Sequence, residues 1–229
     1  VGLELSKITF WSVLPFFLFS LFSGVLSDRW SRKRILIGSD IARVLLVCAI
    51  PWVICDPATI TVAYPFIFVI GIFTCLFSPA KFSIIPNLVE KPQLLIANSL
   101  IASSALLSVL AGTAVGGIIF DSMGFKASMF LNAFTYLFSA GTIWRLRAKE
   151  TGRSKIKGMA DVFMDIKEGM KYIFHDARLI ILIFFGTIFW FAGISFYVVI
   201  SDFAGKVWGF TSLTPLGLIF TLLGGGLLI

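Results

Sequence analysis

Charged side chains are scarce in this sequence of 229 residues. Only 14% of the residues are Asp, Glu, Lys or Arg, against about 25% in ordinary soluble domains. Hydrophobic residues make up 58%, and the mean hydropathy is +0.98. A chain of this size cannot enclose that much apolar surface in water. The composition therefore excludes a soluble domain and predicts an all-α polytopic membrane protein, because helices satisfy their own backbone hydrogen bonds in lipid.

Residues that carry enzyme chemistry are also few. The one histidine is His175, and the three cysteines, Cys48, Cys55 and Cys75, lie in or beside apolar runs, so no disulfide framework or metal site is indicated. The nucleotide-binding pattern G-x-x-x-x-G-K-[ST] is missing, and so are G-x-S-x-G and H-E-x-x-H. These absences leave an ATP-driven pump unsupported in this chain and predict that it is not an enzyme and uses no cofactor or metal.

Seven apolar segments are present, each close to the length of about 20 helical residues that a bilayer core requires. They lie near 8–26, 35–55, 60–78, 94–120, 127–146, 178–200 and 213–229. Pro15, Pro51 and Pro65 fall inside segments and predict kinks. The chain begins at Val1 rather than methionine and stops inside an apolar run, so we expect a truncated bundle.

Basic residues are collected on alternate loops. The loops 27–34, 79–93 and 145–178 hold 15 of the 19 lysines and arginines, and the other loops hold three. This bias predicts that the three basic loops face the cytoplasm. It also argues against a nucleic-acid partner, although the net charge is +7.

The first basic loop, GVLSDRWSRKR, carries the most specific motif. It resembles the G-x-L-x-D-R-x-G-R-K-R signature of the major facilitator superfamily, with serine at position 31 where the family usually has glycine. The matching residues are Gly24, Leu26, Asp28, Arg29, Arg32, Lys33 and Arg34. In that family the motif joins the second and third transmembrane helices on the cytoplasmic side.

The resemblance implies a bundle made of two halves with six helices each. Residues 1–146 would be helices two to six of the N-terminal bundle, without helix one. Residues 147–177 would be the central cytoplasmic loop, and residues 178–229 would begin the C-terminal bundle with helices seven and eight. In the central loop, residues 162–174 have apolar side chains at helical spacing, which predicts a helix lying in the membrane interface.

Two groups of charged residues are candidates for a conformational switch. In similar transporters the aspartate that matches Asp28 locks the two halves together, and the neighbouring basic residues share that network. The alternative for the basic residues is that they only anchor the loop to anionic lipid. Asp40 and Arg43 are three residues apart and share a helix face inside the membrane. They are expected to form a structural or gating ion pair near the interface. The alternatives are a relay with Asp28 or a wall of the transport path. D-x-x-R here resembles the third helix of multidrug and siderophore exporters.

Two further motifs resemble the same exporter group. The run from Phe77 to Leu100 resembles the loop between helices four and five, and its SPAK segment also resembles bacterial lysophospholipid transporters. We expect Pro79 to end a helix. The loop residues singled out are Ser78, Pro79, Lys81 and Pro86. The small residues Gly112, Gly116 and Gly117 predict close helix packing, and they resemble a glycine motif of proton-coupled antiporters in which a proline stands at the place of Thr113.

These observations predict a secondary transporter that exports a hydrophobic or amphipathic small molecule by alternating access. Protons are the expected coupling ion, membrane lipids are expected partners, and the bacterial inner membrane is the expected location. The alternatives are a lysophospholipid flippase of the same fold and a membrane sensor or anchor without transport activity.

Overall fold

The structure is a computed structural model, and it describes residues 2–54, 61–147, 159–209 and 212–226. These residues form α-helices and short 3-10 turns, and no strand is present among them. The helices are α1 (Gly2–Arg29), α2 (Arg32–Val53), α3 (Ala63–Ile84), α4 (Leu94–Arg145), α5 (Met159–His175), α6 (Ala177–Lys206) and α7 (Thr214–Gly226). The predicted all-α class is confirmed.

Five of the described helices are long and apolar enough to cross a membrane. They cover Leu3–Ser27, Arg32–Val53, Ala63–Asn87, Lys91–Arg145 and Ala177–Lys206. The predicted segment 213–229 corresponds to α7, whose described part has 13 residues.

The helix α4 contains two of the predicted segments. Its 52 residues include Gly124, which has the left-handed angles φ 78° and ψ 176° and divides the helix into two arms. Gln93, before the first arm, and Arg147, after the second, line the same surface cleft, so the chain turns back at Gly124. A positive φ is accessible to glycine without a steric penalty, which explains the residue at this turn.

The helices α1 and α3 pack at close range. An added Cβ at Gly71 of α3 would lie 2.6 Å from Cγ of Pro15 on α1, so glycine is required at this crossing. Trp11 of α1 stacks on Tyr64 with ring centres 6.2 Å apart and meets Phe68 edge-on at 5.9 Å. These aromatic contacts fix α1 against α3 along the half of the bundle away from the hairpin.

A small apolar core joins α2, α3 and α4. Ile35 and Leu36 of α2 are buried against Ala80 and Ile84 of α3, and Ile143 of α4 packs on the same cluster. This core lies directly beside the turn between α1 and α2, which we call the hairpin end of the bundle. It gives the residues of the turn a rigid base.

Proline positions differ from the sequence prediction at two places. Pro15 and Pro51 lie inside α1 and α2 as expected, but Pro65 lies in the first turn of α3, where a missing N–H has no helical partner to lose. Pro79 was expected to end a helix, and this prediction was wrong. It lies inside α3, which continues to Ile84, because neighbouring helices in a bundle can support a backbone that lacks one hydrogen bond.

Candidate functional site

The hairpin of the sequence motif is a turn of two residues. The helix α1 ends at Arg29 and α2 begins at Arg32, so only Trp30 and Ser31 are outside helices. Ser31 is the N-cap of α2, and its hydroxyl accepts a hydrogen bond from the backbone N–H of Arg34 at 3.4 Å. Serine is a preferred N-cap residue, which explains how it fits where the resembled motif has glycine.

Gly24 and Asp28 both lie within α1. Asp28 was expected just past the end of a helix, but the backbone places it in the last turn of α1, since the helix continues to Arg29. Its side chain lies outside the described part of the structure, and its predicted role as a latch stays a prediction. A Cβ built on Gly24 meets no atom within 4 Å.

Two basic residues of the hairpin bind the ends of other helices. The Arg32 guanidinium donates to the carbonyl of Ser83 in the last turn of α3 at 2.7 Å. The Lys33 ammonium donates to the carbonyls of Trp144 and Leu146 at the end of α4, at 2.7 and 2.8 Å. Carbonyls at a helix C-terminus lack partners within the helix and carry partial negative charge. These contacts therefore join the start of α2 to the ends of α3 and α4.

Arg29 makes a different kind of contact. Its Nε donates to the Asp165 carboxylate of α5 at 2.8 Å, and its guanidinium forms an ion pair with the same oxygen. The side chain of Arg29 is 10% exposed and that of Asp165 is 40% exposed. The rings of Phe22 and Phe163 meet edge-on at 5.8 Å on the same two helices. An ion pair and one aromatic contact thus hold α5 on the end of α1.

Arg34 is the fourth basic residue of the hairpin. It lies on the wall of a cleft between α1, α2 and α3. Its guanidinium has no hydrogen-bond or ion-pair partner among the side chains that the structure describes. In this respect it differs from Arg29, Arg32 and Lys33.

Asp40 and Arg43 form a buried ion pair on α2. Arg43 is 5% exposed, and its guanidinium lies 4.5 Å from the ring centres of both Phe77 on α3 and Tyr136 on α4. Its Nε also donates to the carbonyl of Ser39 at 3.3 Å. Three helices meet around this cation, so the arrangement has the features of a structural junction.

The motif of the second basic loop lies on helices rather than in a loop. Ser78, Pro79 and Lys81 belong to the last part of α3, and Pro86 lies in the following 3-10 turn, Ile85–Asn87. The prediction of a loop at Ser78 is corrected, because α3 remains helical through Ile84. The Lys81 ammonium lies 4.9 Å above the ring of Phe82.

The predicted packing glycines, Gly112, Gly116 and Gly117, lie on the first arm of α4, and one of them, Gly117, faces α7. An added Cβ at Gly117 would lie 2.8 Å from the carbonyl oxygen of Leu213, and one at Gly217 of α7 would clash with the carbonyl oxygen of Thr113. Cβ atoms built on Gly112 and Gly116 meet nothing within 4 Å. The hydroxyls of Thr113 and Thr221 are 2.9 Å apart across the same contact.

Several partners in these contacts were not singled out from the sequence. Ser83, Trp144 and Leu146 contribute backbone carbonyls, which give no sequence signal because every residue has one. Asp165 lies within the predicted interfacial helix, and its charge, opposite to that of the hairpin, was the available signal.

Together these features define a class of protein: a multi-pass helical membrane protein whose charged turn connects the ends of several helices. A model of the Major Facilitator Superfamily matches residues 2–229. The chain belongs to the Major Facilitator Superfamily, a family of transporters rather than enzymes, as the sequence predicted.

Similar proteins from bacteria carry transporter names. A Bacillus subtilis (strain 168) protein named as the bacilysin exporter BacE is 26% identical over 195 residues, covering 82% of this chain and 47% of that protein. The lysophospholipid transporter LplT of Photorhabdus laumondii is 24% identical over 187 residues, covering 80% and 44%. Macrolide efflux protein A of Streptococcus pyogenes is 25% identical over 238 aligned residues, covering 100% and 58%.

The chain spans about half the length of the curated relatives it matches. No solved structure matches this chain with statistical significance.

Proposed function

We propose that the chain is part of a secondary active transporter that exports a hydrophobic or amphipathic small molecule across the bacterial inner membrane by alternating access. Protons are the proposed coupling ion. The observation that carries the proposal is that the hairpin residues make two kinds of contact. Arg32 and Lys33 bind carbonyls at the ends of neighbouring helices, whereas Arg29 binds α5 through an ion pair.

One kind of contact lies within a single bundle, and the other joins that bundle to a different part of the chain. The contacts of Arg32 and Lys33 lie within residues 1–146, the proposed N-terminal bundle, and are expected to persist throughout the cycle. The Arg29–Asp165 contact reaches into residues 147–177, the proposed central loop. A single partly exposed ion pair is weak enough to be made in one conformation and lost in another. We therefore propose that Arg29 and Asp165 belong to the cytoplasmic latch together with Asp28.

The proposed C-terminal bundle begins at residue 178, so α6 and α7 would belong to it. In this arrangement the close contact of α4 with α7 at Gly117 and Gly217 is a contact between the two bundles. Glycines at such a crossing let two backbones approach and slide without side chains between them. The contact would act as the pivot that the two halves share.

The substrate class is supported by two observations. The relatives include proteins named for bacilysin and macrolide export. The aromatic side chains of α6, among them Phe189, Trp190 and Phe191, are 69–73% exposed, and rings of this kind suit a bulky apolar ligand.

Efflux of a fluorescent amphiphile from cells tests the proposal. The full-length protein would be expressed in bacteria that lack their main exporters, and Arg29→Gln and Asp165→Asn would be compared with the parent. Both variants should lower efflux severalfold, since each breaks the same latch, and a protonophore should abolish efflux. Unchanged efflux in both variants, at equal amounts of protein in the membrane, would contradict the latch.

A lysophospholipid flippase is the second candidate. It is favoured by the SPAK segment at 78–81 and by the relative named as a lysophospholipid transporter. Spheroplasts given a labelled lysophospholipid distinguish the two: inward transfer that depends on the protein identifies the flippase, and its absence together with amphiphile efflux identifies the exporter.

A membrane module without transport activity is the remaining alternative. It needs no switching latch, so Asp28→Asn should leave its function intact, whereas a transporter should lose most of its flux.

A further inference from the structure

A cleft of about 540 Å³ opens at the hairpin end, between α1, α2 and α3. Its wall is largely apolar, with Leu26, Ile35, Phe73 and Leu76 contributing side chains from all three helices. Two guanidinium groups, those of Arg29 and Arg34, also line it. The volume lies in the range of about 300–1,000 Å³ that is typical of small-molecule sites.

The charge of the cleft is unbalanced. Arg29 is paired with the Asp165 carboxylate, so its charge is largely offset. Arg34 has no partner for its guanidinium among the described side chains, although its three basic neighbours in the hairpin each have one. Among the side chains that the structure describes, the cleft therefore presents one positive charge without a partner, next to an apolar wall.

The position of the cleft corresponds to the level of lipid headgroups. It opens where α1 ends and α2 begins, at the ends of two membrane-spanning helices. Trp30, in the turn, lines the cleft and is 55% exposed. Tryptophan is enriched at the boundary between lipid and water because its ring is amphipathic.

We propose that this cleft is a binding site for an anionic phospholipid, whose phosphate pairs with Arg34 and whose upper acyl chain lies along Leu26, Phe73 and Leu76. Basic pockets between transmembrane helices are known to take anionic headgroups, and an arginine can bind two phosphate oxygens at once. One guanidinium without a partner among the described side chains matches the single net charge of phosphatidylglycerol. A free phosphate would leave the apolar wall unused.

Quenching of tryptophan fluorescence by brominated lipids tests the site. The full-length protein is reconstituted in vesicles that contain brominated phosphatidylglycerol or brominated phosphatidylcholine at equal mole fraction. The difference between the parent and Trp30→Phe isolates the signal of Trp30 from that of the other tryptophans. Trp30 should prefer phosphatidylglycerol roughly fivefold, because one basic residue at the surface contributes about that factor.

Arg34→Gln should reduce the preference to about one, whereas the matched variant Lys81→Gln, which removes a positive charge from outside the cleft, should retain it. An intact preference in Arg34→Gln overturns the proposal. An equal loss in Lys81→Gln overturns it as well, because the preference would then reflect general surface charge. If Arg34→Gln fails to fold, Arg34→Lys provides the test and should keep the preference.

A steric variant tests the apolar part of the site. Gly38 lines the cleft, and a Cβ built there meets no atom within 4 Å, so Gly38→Leu should fill space without a clash. It should reduce quenching of Trp30 by both lipids. The matched control is Gly141→Leu, at an equally open position on α4, which should not change quenching. Equal quenching in the parent and Gly38→Leu overturns the proposal.

Two further outcomes assign the cleft to another occupant and also overturn the proposal. Loss of the lipid preference on addition of millimolar inorganic phosphate would indicate a site for free anions. An absence of quenching by either lipid would indicate that a protein segment covers the cleft. The readout is lipid binding rather than flux, so the result does not depend on the proposed transport activity.

Discussion

The Asp121 carboxylate of α4 accepts two hydrogen bonds from Thr214 at the start of α7, one from the backbone N–H at 2.7 Å and one from the hydroxyl at 2.6 Å. It also accepts the N–H of Leu213 at 3.0 Å. The structure shows that this residue caps a different helix, at the end of the bundle opposite to the hairpin.

We predict that Asp121→Ala loosens the start of α7, because the first N–H groups of a helix need acceptors. Amide exchange in the first turn of α7 should accelerate, and the melting temperature should fall by a few degrees, on the order expected for a small loss of stability in a chain of this size. Asp121→Asn, which keeps one acceptor oxygen, should have a smaller effect. Equal exchange rates in the parent and Asp121→Ala would refute the cap.

Gly217→Ala should push α7 away from α4, since its new methyl group would clash with the Thr113 carbonyl oxygen. The separation can be measured with cysteines at Thr113 and Thr221, whose hydroxyls are 2.9 Å apart, in a background without the native cysteines. These cysteines should form a disulfide readily in the parent and severalfold less in Gly217→Ala. Gly116→Ala, where the built Cβ meets no atom within 4 Å, is the matched control, and an equal yield in all three would show that the contact is wrong.

Arg43→Gln should destabilise the protein by about 3–5 kcal/mol, because removing one partner leaves the other charge buried without compensation. The neighbouring Asp40 is 1% exposed. The double variant Asp40→Asn with Arg43→Gln should be more stable than Arg43→Gln alone. Thermal unfolding followed by circular dichroism measures both. A double variant that is as unstable as the sum of the single variants would mean that the two residues act independently.

The Arg29–Asp165 ion pair should show a coupling free energy of about 0.5–1 kcal/mol in a double-mutant cycle, as is common for partly exposed pairs. Arg29→Gln, Asp165→Asn and the double variant provide the cycle, with protection of α5 from proteolysis as the readout. Exchanging the charges, with Asp at 29 and Arg at 165, should restore part of the protection. No restoration, together with zero coupling, would remove the contact from the proposed latch.

Hydropathy and charge were sufficient to predict where the helices lie. The seven apolar segments correspond to α1, α2, α3, the two arms of α4, α6 and α7. The amphipathic pattern at 162–174 lies within α5, Met159–His175. These predictions succeed because a lipid environment imposes length and composition on each helix directly.

The contacts of the hairpin could not be predicted in the same way. Lys33 binds carbonyls that lie 111 and 113 residues away in the sequence, and a carbonyl carries no side-chain signal. Pro79 was misjudged because the general rule for proline in helices does not include support from packed neighbours. Arg34 resembled its three basic neighbours in sequence, and only the structure separates it from them.

The turn at Trp30 and Ser31 also has a consequence for how the protein fits its membrane. Arg32 and Lys33 bind the C-terminal ends of α3 and α4 to the start of α2. These three helices therefore end at the same depth at one face of the bilayer. A thicker or thinner membrane must then be accommodated at the other face or by tilting the helices as a group. The hairpin would thus set the depth at which the whole bundle lies in the bilayer.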